Sequence, residues 1–238
     1  MSYDLTIKPI DTNKHKIPQR VLMKNNIIPK HPSSVIFNGC SGSGKSTLLL
    51  NMLTRPMFFK NYFDHIFLFS PTGDSDDLYK SLKIPKENIF VDLEPDDLDK
   101  IMIKQRELVE SKGVHKSPKL LIILDDIQGN KKFMNSKPFL RSFIANRHFG
   151  MSTWLCGQSF TRTPRACRLQ ANNIFIFRAT GSEIKILCDE FCPANMTKKE
   201  FMKLIDTATK DRHSFLHINM RMPQEERYRK NLDTILMV

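Results

Sequence analysis

The 238-residue sequence lacks any apolar run long enough to cross a bilayer, which excludes a membrane-spanning helix and makes a soluble protein the expectation. Cysteine is sparse and odd in number, with Cys40, Cys156, Cys167, Cys188 and Cys192, and no secretory signal opens the chain. A disulfide-stapled secreted domain is therefore excluded, and a reduced intracellular setting is expected. Acidic residues are in deficit, 25 against 37 Lys and Arg, for a formal charge of +12. Such a surplus favours a polyanionic partner, nucleic acid ahead of membrane, through release of condensed counterions. Glycine is scarce too, at nine residues, yet three of them stand at 39, 42 and 44. What remains is ordinary for a folded chain, 40% apolar and 26% charged, and the length suits one medium α/β domain.

Residues 1–31 are polar and basic, with Pro9, Pro18, Pro29 and Pro32 spaced through and just past them, and read as an extended arm. A domain follows over 32–238 and closes with a basic extension. Apolar runs predict strands at 34–38, 64–70, 88–92, 120–124, 151–156 and 173–177. Helices are expected at 46–53, 76–82, 95–111, 138–146 and 164–170, the third opened by Pro95 and acidic in its first turn. Strand and helix alternate throughout. That pattern predicts a mainly parallel sheet with helices on both faces and ligands at the carboxyl ends of the strands.

The run Gly39-Cys40-Ser41-Gly42-Ser43-Gly44-Lys45-Ser46 matches G-x-x-x-x-G-K-[ST] between an expected strand and an expected helix. Its glycines let the backbone curl so that N–H groups face phosphates, and the helix N-terminus adds its positive end. Lys45 is placed to reach the β and γ oxygens, Ser46 to give a hydroxyl to Mg²⁺, and Thr47 to touch the α-phosphate. Further on, Leu121-Ile122-Ile123-Leu124-Asp125-Asp126 sets four apolar residues before two carboxylates. Asp125 has the position of a Walker B aspartate that holds Mg²⁺ through water. Asp126, just past the strand, can polarise an attacking water, although a helix cap or a solvated acid would also fit there. Two strands fall between Lys45 and Asp125, so a strand separating the P-loop strand from the Walker B strand is expected, as in RecA-like (ASCE) P-loop NTPases.

The approach Pro29-Lys30-His31-Pro32, the P-loop with Leu48 to Arg55, the Walker B run, and Asn146-Arg147-His148 leading into a strand that ends at Gln158 carry a further signal. Over residues 29–178 the sequence resembles the poxvirus-type viral genome-packaging ATPases of the FtsK/HerA superfamily, which occur in large DNA viruses and virophages. The resemblance implies ATP and Mg²⁺ as cofactors and hydrolysis that drives sequence-independent double-stranded DNA into a capsid. It also implies a homo-oligomeric ring, pentamer or hexamer, with capsid-vertex or portal proteins as further partners, at work in the virion or in the viral factory of the host cytoplasm. Carried across, Gln158 becomes the polar sensor beside Walker B and Arg147 an arginine finger for a neighbouring subunit, with Arg168 as the competing candidate.

Candidate DNA contacts are Arg162, Arg165, Arg221, Arg227, Arg229, Lys230, Lys131, Lys132 and the loop 112–119, all of a type that holds phosphates rather than bases. Cys188 with Cys192, and His213 with His217, are each four apart, a spacing open to zinc although it does not bring the pairs together. Phe58 and Phe59 are candidates to face a partner subunit. Readings that share the P-loop also stay open: a helicase or other DNA pump, an ATP-binding scaffold, and a nucleotide kinase.

Overall fold

The computed structural model describes residues 27–236. Six apolar runs form β1 (Ser34–Asn38), β2 (His65–Phe69), β3 (Ile89–Phe90), β4 (Leu120–Asp125), β5 (Met151–Gly157) and β6 (Asn173–Ile176). Between and after them come α1 (Lys45–Thr54), α2 (Asp77–Lys80), α3 (Pro95–Lys112), α4 (Lys131–Met134), α5 (Lys137–Ile144), α6 (Arg165–Gln170), α7 (Gly181–Phe191) and α8 (Lys198–Thr209). The chain continues into β7 (Leu216–Asn219), β8 (Tyr228–Lys230) and β9 (Thr234–Ile235). All nine strands join one sheet in the order β3-β2-β4-β5-β1-β6-β7-β8-β9. Pairing is parallel from β3 to β6 and antiparallel from β6 onward.

The two-residue period of the strands assigns each side chain to a face. Val35, Phe37, Leu121, Ile123, Trp154 and Phe175 point to the side covered by α1, whose Leu48, Leu49, Leu50, Met52 and Leu53 are all buried. Ile36, Ile122, Leu124, Leu155, Ile174 and Ile176 point the other way, onto Met102 of α3, Phe139 of α5, Leu187 of α7 and Phe201 of α8. Strands apolar at every position thus have two faces to fill, as the alternation of strands and helices predicts.

One strand does separate β1 from β4, but it is β5, not either of the two that precede Walker B in sequence. Those two, β2 and β3, lie beyond β4 at the sheet edge. Sequence order gives the number of strands between two motifs and says nothing of their lateral placement.

Of the arm expected over 1–31, residues 1–26 lie outside the described residues. Residues 27–31 dock on the domain: Ile28 is buried, His31 Nδ1 lies 2.8 Å from Ser152 Oγ, and Arg221 donates to the carbonyls of Lys30 (2.8 Å) and Pro32 (2.6 Å). The basic C-terminal stretch is likewise built into the sheet as β8 and β9, with Arg229 buried beside Glu226. Phe58 and Phe59 do not face a partner. Both are buried, Phe59 against the rings of Tyr62, Phe63 and Trp154. The zinc arrangement also falls away, because β7 begins only at Leu216: His213 sits in the turn before it, exposed, while His217 is buried against Phe175. Among the described residues no three metal-ligating side chains cluster.

Burial, reinforced by the nearby Arg229 charge, pushes His217 down to about 3, and burial pushes His31 down to about 4. Both stay neutral in the folded chain, whereas in the unfolded chain they take up protons below about 6.5. The folded-state values are depressed, so stability falls as pH drops from about 6.5 towards 4, by up to about 1.4 kcal/mol per pH unit from His217 alone. Urea unfolding at pH 7.5 and 5.0 should record this loss, and His217→Gln should flatten the slope. An unchanged midpoint in the wild type would contradict the neutral assignment.

Candidate active site

The parallel register brings the P-loop and the Walker B aspartates to one edge. Asn38 at the end of β1 pairs with Gly157, and Asp125 at the end of β4 pairs with Cys156, so all three strand ends are level. Gly39 N–H donates to Gly157 O at 3.1 Å and starts the P-loop from that edge. Gly42 (φ 72°) and Gly44 (φ 106°) take left-handed conformations that the curl requires. At Gly39 the reason is space: a Cβ there would stand 2.6 Å from Phe177 Cβ. Gly44 caps α1 without any side-chain hydrogen bond, which leaves the first-turn N–H groups directed at whatever the loop encloses. Lys45 is buried, and its Nζ donates to the carbonyls of Gly39 (2.6 Å) and Cys40 (2.9 Å), which centres the ammonium in the loop.

Across β5, Tyr79 of α2 donates its hydroxyl to Asp125 Oδ2 at 2.5 Å, the length of a charge-assisted bond. Burial raises the Tyr79 phenol far above its usual range, so it acts only as a donor. Burial also raises the Asp125 carboxyl; the Tyr79 bond and the Lys45 ammonium oppose this, and Asp126 adds to it. A half-buried carboxylate with one oxygen fixed by Tyr79, near the Lys45 ammonium at the start of α1, is a hard-oxygen donor suited to Mg²⁺.

Asp126 differs from its neighbour. It is exposed, it adopts a left-handed backbone (φ 53°, ψ 28°), and its side chain caps nothing in the turn that follows. Its Oδ1 accepts from Gln158 Nε2 at 2.9 Å, so the two residues singled out on separate strands meet. A left-handed non-glycine residue costs on the order of 1 kcal/mol, and here it carries the carboxylate clear of the strand end.

Two residues at this edge escaped the sequence reading. Gln128 uses all four valences of its amide: Nε2 donates to Ser159 O (2.7 Å) and Thr163 Oγ1 (3.0 Å), and Oε1 accepts from Gln158 N (2.8 Å) and Ser159 N (2.9 Å). It thereby fixes the backbone from which Gln158 reaches Asp126. A Cβ at Gly157 would come within 2.5 Å of the Gln128 amide, which explains the glycine at the end of β5. Glu183 of α7 is also buried; it accepts from Asn38 Nδ2 (3.1 Å), Phe160 N (2.8 Å) and Thr180 N (2.8 Å), tying the P-loop entry to the loop after Gln158. Burial alone would raise its carboxyl, but the N–H donors outweigh that and hold it below the usual range. A glutamine two places past a carboxylate pair, and a glutamate three past a threonine, have ordinary uses, so only their buried partners distinguish them.

Gln128→Ala should leave the Gln158 and Ser159 N–H groups without the acceptor they share, at a cost of about 1–3 kcal/mol in unfolding free energy. Turnover should fall by about tenfold with KM little changed, since the P-loop is untouched. Turnover per folded molecule equal to that of the wild type would assign Gln128 to folding alone.

The two candidate arginine fingers differ sharply. Arg168 is buried, forks onto Glu190 with bonds of 2.8 and 2.7 Å, and donates to Thr163 O at 2.5 Å, so its guanidinium is committed within the fold. Arg147 is exposed in the turn before β5, steadied by Asn146, which donates to Ser34 Oγ at 2.8 Å. It lies at the amino ends of the strands, roughly 20 Å by strand rise from the P-loop of its own chain. Of the candidate DNA contacts, Arg221, Arg229, Lys132 and Lys230 have protein partners, and Arg165 shares Glu190 at 3.4 Å. Arg162 and Lys131 are exposed on the carboxyl-edge loops, and the loop 112–119 lies at the amino edge.

Among known proteins, the chain is 29% identical to uncharacterized protein 075L of invertebrate iridescent virus 6, over 75% of this chain and 65% of that protein. It is 25% identical to uncharacterized protein 015R of frog virus 3, over 61% of this chain and 44% of the other. The chain thus spans about half to two thirds of these relatives. DNA packaging protein OPG160 of variola virus is 23% identical, over 92% of this chain and 90% of its own length. The genome packaging NTPase B204 of Sulfolobus turreted icosahedral virus 2, solved with AMP, shares the fold with a TM-score of 0.60 at 16% identity, over 86% of this chain and 98% of that one. No helix among the described residues is long and apolar enough to cross a membrane. Because residues 21–229, most of the chain, match the family model for the Poxvirus A32 protein, the chain belongs to that family.

Proposed function

We propose that this chain is an ATPase that packages viral double-stranded DNA, working as a ring in the virion or the viral factory. The observation that carries the reading is the meeting of Asp126 and Gln158 at the edge that also holds the P-loop and Asp125, in a member of the A32 family. OPG160, named for DNA packaging, aligns over nearly its whole length, which supports the cargo.

In this reading the backbone N–H groups of residues 39–44 cradle the phosphates, Lys45 turns from the Gly39 and Cys40 carbonyls to the β and γ oxygens, and Thr47 sits by the α-phosphate. Ser46 and Asp125 would hold Mg²⁺, which would supply charge neutralisation at the phosphates. Gln158 fixes one oxygen of Asp126, and the other accepts the proton of the attacking water. The new bond forms to the γ-phosphorus, the bond to the bridging oxygen breaks, and ADP leaves with that electron pair. Arg147 rather than Arg168 serves as the finger, from an adjoining subunit, because its own P-loop is out of reach and Arg168 is held by Glu190.

The test is steady-state ATP turnover across protein concentration, with and without long double-stranded DNA at low salt. Turnover should rise more steeply than linearly with protein and increase further with DNA. Turnover linear in protein and indifferent to DNA would remove the motor and leave a scaffold or a kinase, the latter recognised by phosphate found on an acceptor other than water.

A further inference from the structure

The fold decides which way a triphosphate lies across the P-loop. Its γ end has to face Asp125, Asp126 and Gln158, which stand on the β4 and β5 side of β1. The nucleoside must then leave over the other neighbour of β1, which is β6. A cleft of about 350 Å³ lies there, within the range of small-ligand sites. Its walls are the outer side of the P-loop at residues 40–43, Phe177 and Arg178 just beyond β6, and the turn 209–214 between α8 and β7.

That turn is held in place from both ends. His213, left-handed at φ 63°, sets Nδ1 3.2 Å from Ser43 O of the P-loop and stands against Gly44. Asp211 is engaged by Lys230 of β8, and its carbonyl accepts from Ser214 Oγ at 2.8 Å. Arg178 and Arg212 are exposed on the two walls. The arginine salt bridges among the described residues involve Arg106, Arg141, Arg165, Arg168 and Arg229, but neither of these two. Two planar cations facing one cleft beside a phosphate loop are suited to the π-face of a base and to ribose hydroxyls.

We propose that this cleft is the nucleoside subsite, with Arg178 and Arg212 holding base and ribose and His213 tethering the turn to the P-loop; the proposal rests on the ATPase reading. It also fixes selectivity. Among the described residues the lining contains no Asn, Gln or Glu, and its one acid, Asp211, is engaged by Lys230. No amide or free carboxylate side chain of the described lining reads the edge of a base, so the base is held by its face, and adenine and guanine nucleotides bind within a few-fold of each other.

Calorimetric titration of the full chain with ADP, GDP and inorganic tripolyphosphate, all with Mg²⁺, tests this. Arg178→Ala/Arg212→Ala should weaken ADP and GDP by about tenfold or more and tripolyphosphate by less than threefold, with ADP and GDP within about fivefold on the wild type. Arg178→Lys/Arg212→Lys, which keeps the charge, should also weaken the nucleotides because a lysine offers no planar face. Equal losses for tripolyphosphate, no loss for any probe, or strong selection between ADP and GDP would each overturn the subsite. The ATPase reading is judged separately, by Lys45→Ala. If that change abolishes tripolyphosphate binding, the P-loop remains the phosphate site whatever the arginines do, and turnover decides the ATPase reading; if the wild type binds none of the three probes, both fall.

Discussion

Asp126→Asn is expected to bind ATP as tightly as the wild type and to hydrolyse it about 10³-fold more slowly, within the span general-base removal produces. The amide has nearly the shape of the carboxylate, so the bond from Gln158 Nε2 to Oδ1 at 2.9 Å can persist and the left-handed turn suits Asn as well as Asp. What is lost is the second oxygen as a proton acceptor. Single-turnover kinetics on prebound ATP measure the step directly. A variant that retains wild-type turnover would return Asp126 to the role of a solvated acid. Asp125→Asn provides the contrast: it should weaken Mg²⁺-dependent ATP binding, because that carboxylate is placed to hold the ion.

Arg147→Ala should lower turnover by about 10³-fold while ATP still binds, the size seen when an arginine finger is withdrawn from a phosphoryl-transfer site. The distinguishing experiment is a mixture. Lys45→Ala subunits cannot use their own P-loop but retain Arg147, whereas Arg147→Ala subunits have an intact P-loop and no finger. Neither alone should hydrolyse ATP well, and mixing them should restore turnover in proportion to the junctions where the first adjoins the second. If mixing restores nothing while both variants still assemble, Arg147 does not act between subunits, and its exposed place at the amino edge has another use, such as contact with DNA phosphates. The roughly 20 Å from its own P-loop argues for action in trans, since no side chain spans that distance.

Local chemistry was legible wherever a short stretch of chain specifies it. The P-loop needs glycines at set places and a lysine one residue into a helix, so eight consecutive residues declare both conformation and ligand. The strands β1, β4, β5 and β6 were legible because burial on two faces demands unbroken apolar runs, and α3 because Pro95 and an acidic first turn mark its start. Lateral order was not legible: β5, the strand between β1 and β4, comes later in the chain than both. Nor was the fate of individual cations. Arg147 and Arg168 are alike as letters, and only the fold places Glu190 beside one and solvent beside the other.

By itself the sequence determined that a phosphate loop, a candidate metal-binding carboxylate and a candidate base belong to a mainly parallel α/β fold, because each is encoded by spacing along a few residues. Only the tertiary structure decided that Gln158 meets Asp126, that Gln128 and Glu183 hold that edge, that Tyr79 orients Asp125, and that Arg178 and Arg212 face one cleft. Those contacts join residues far apart in the chain. They depend on the register and order of a sheet, which the summed packing of both its faces fixes and no local pattern records.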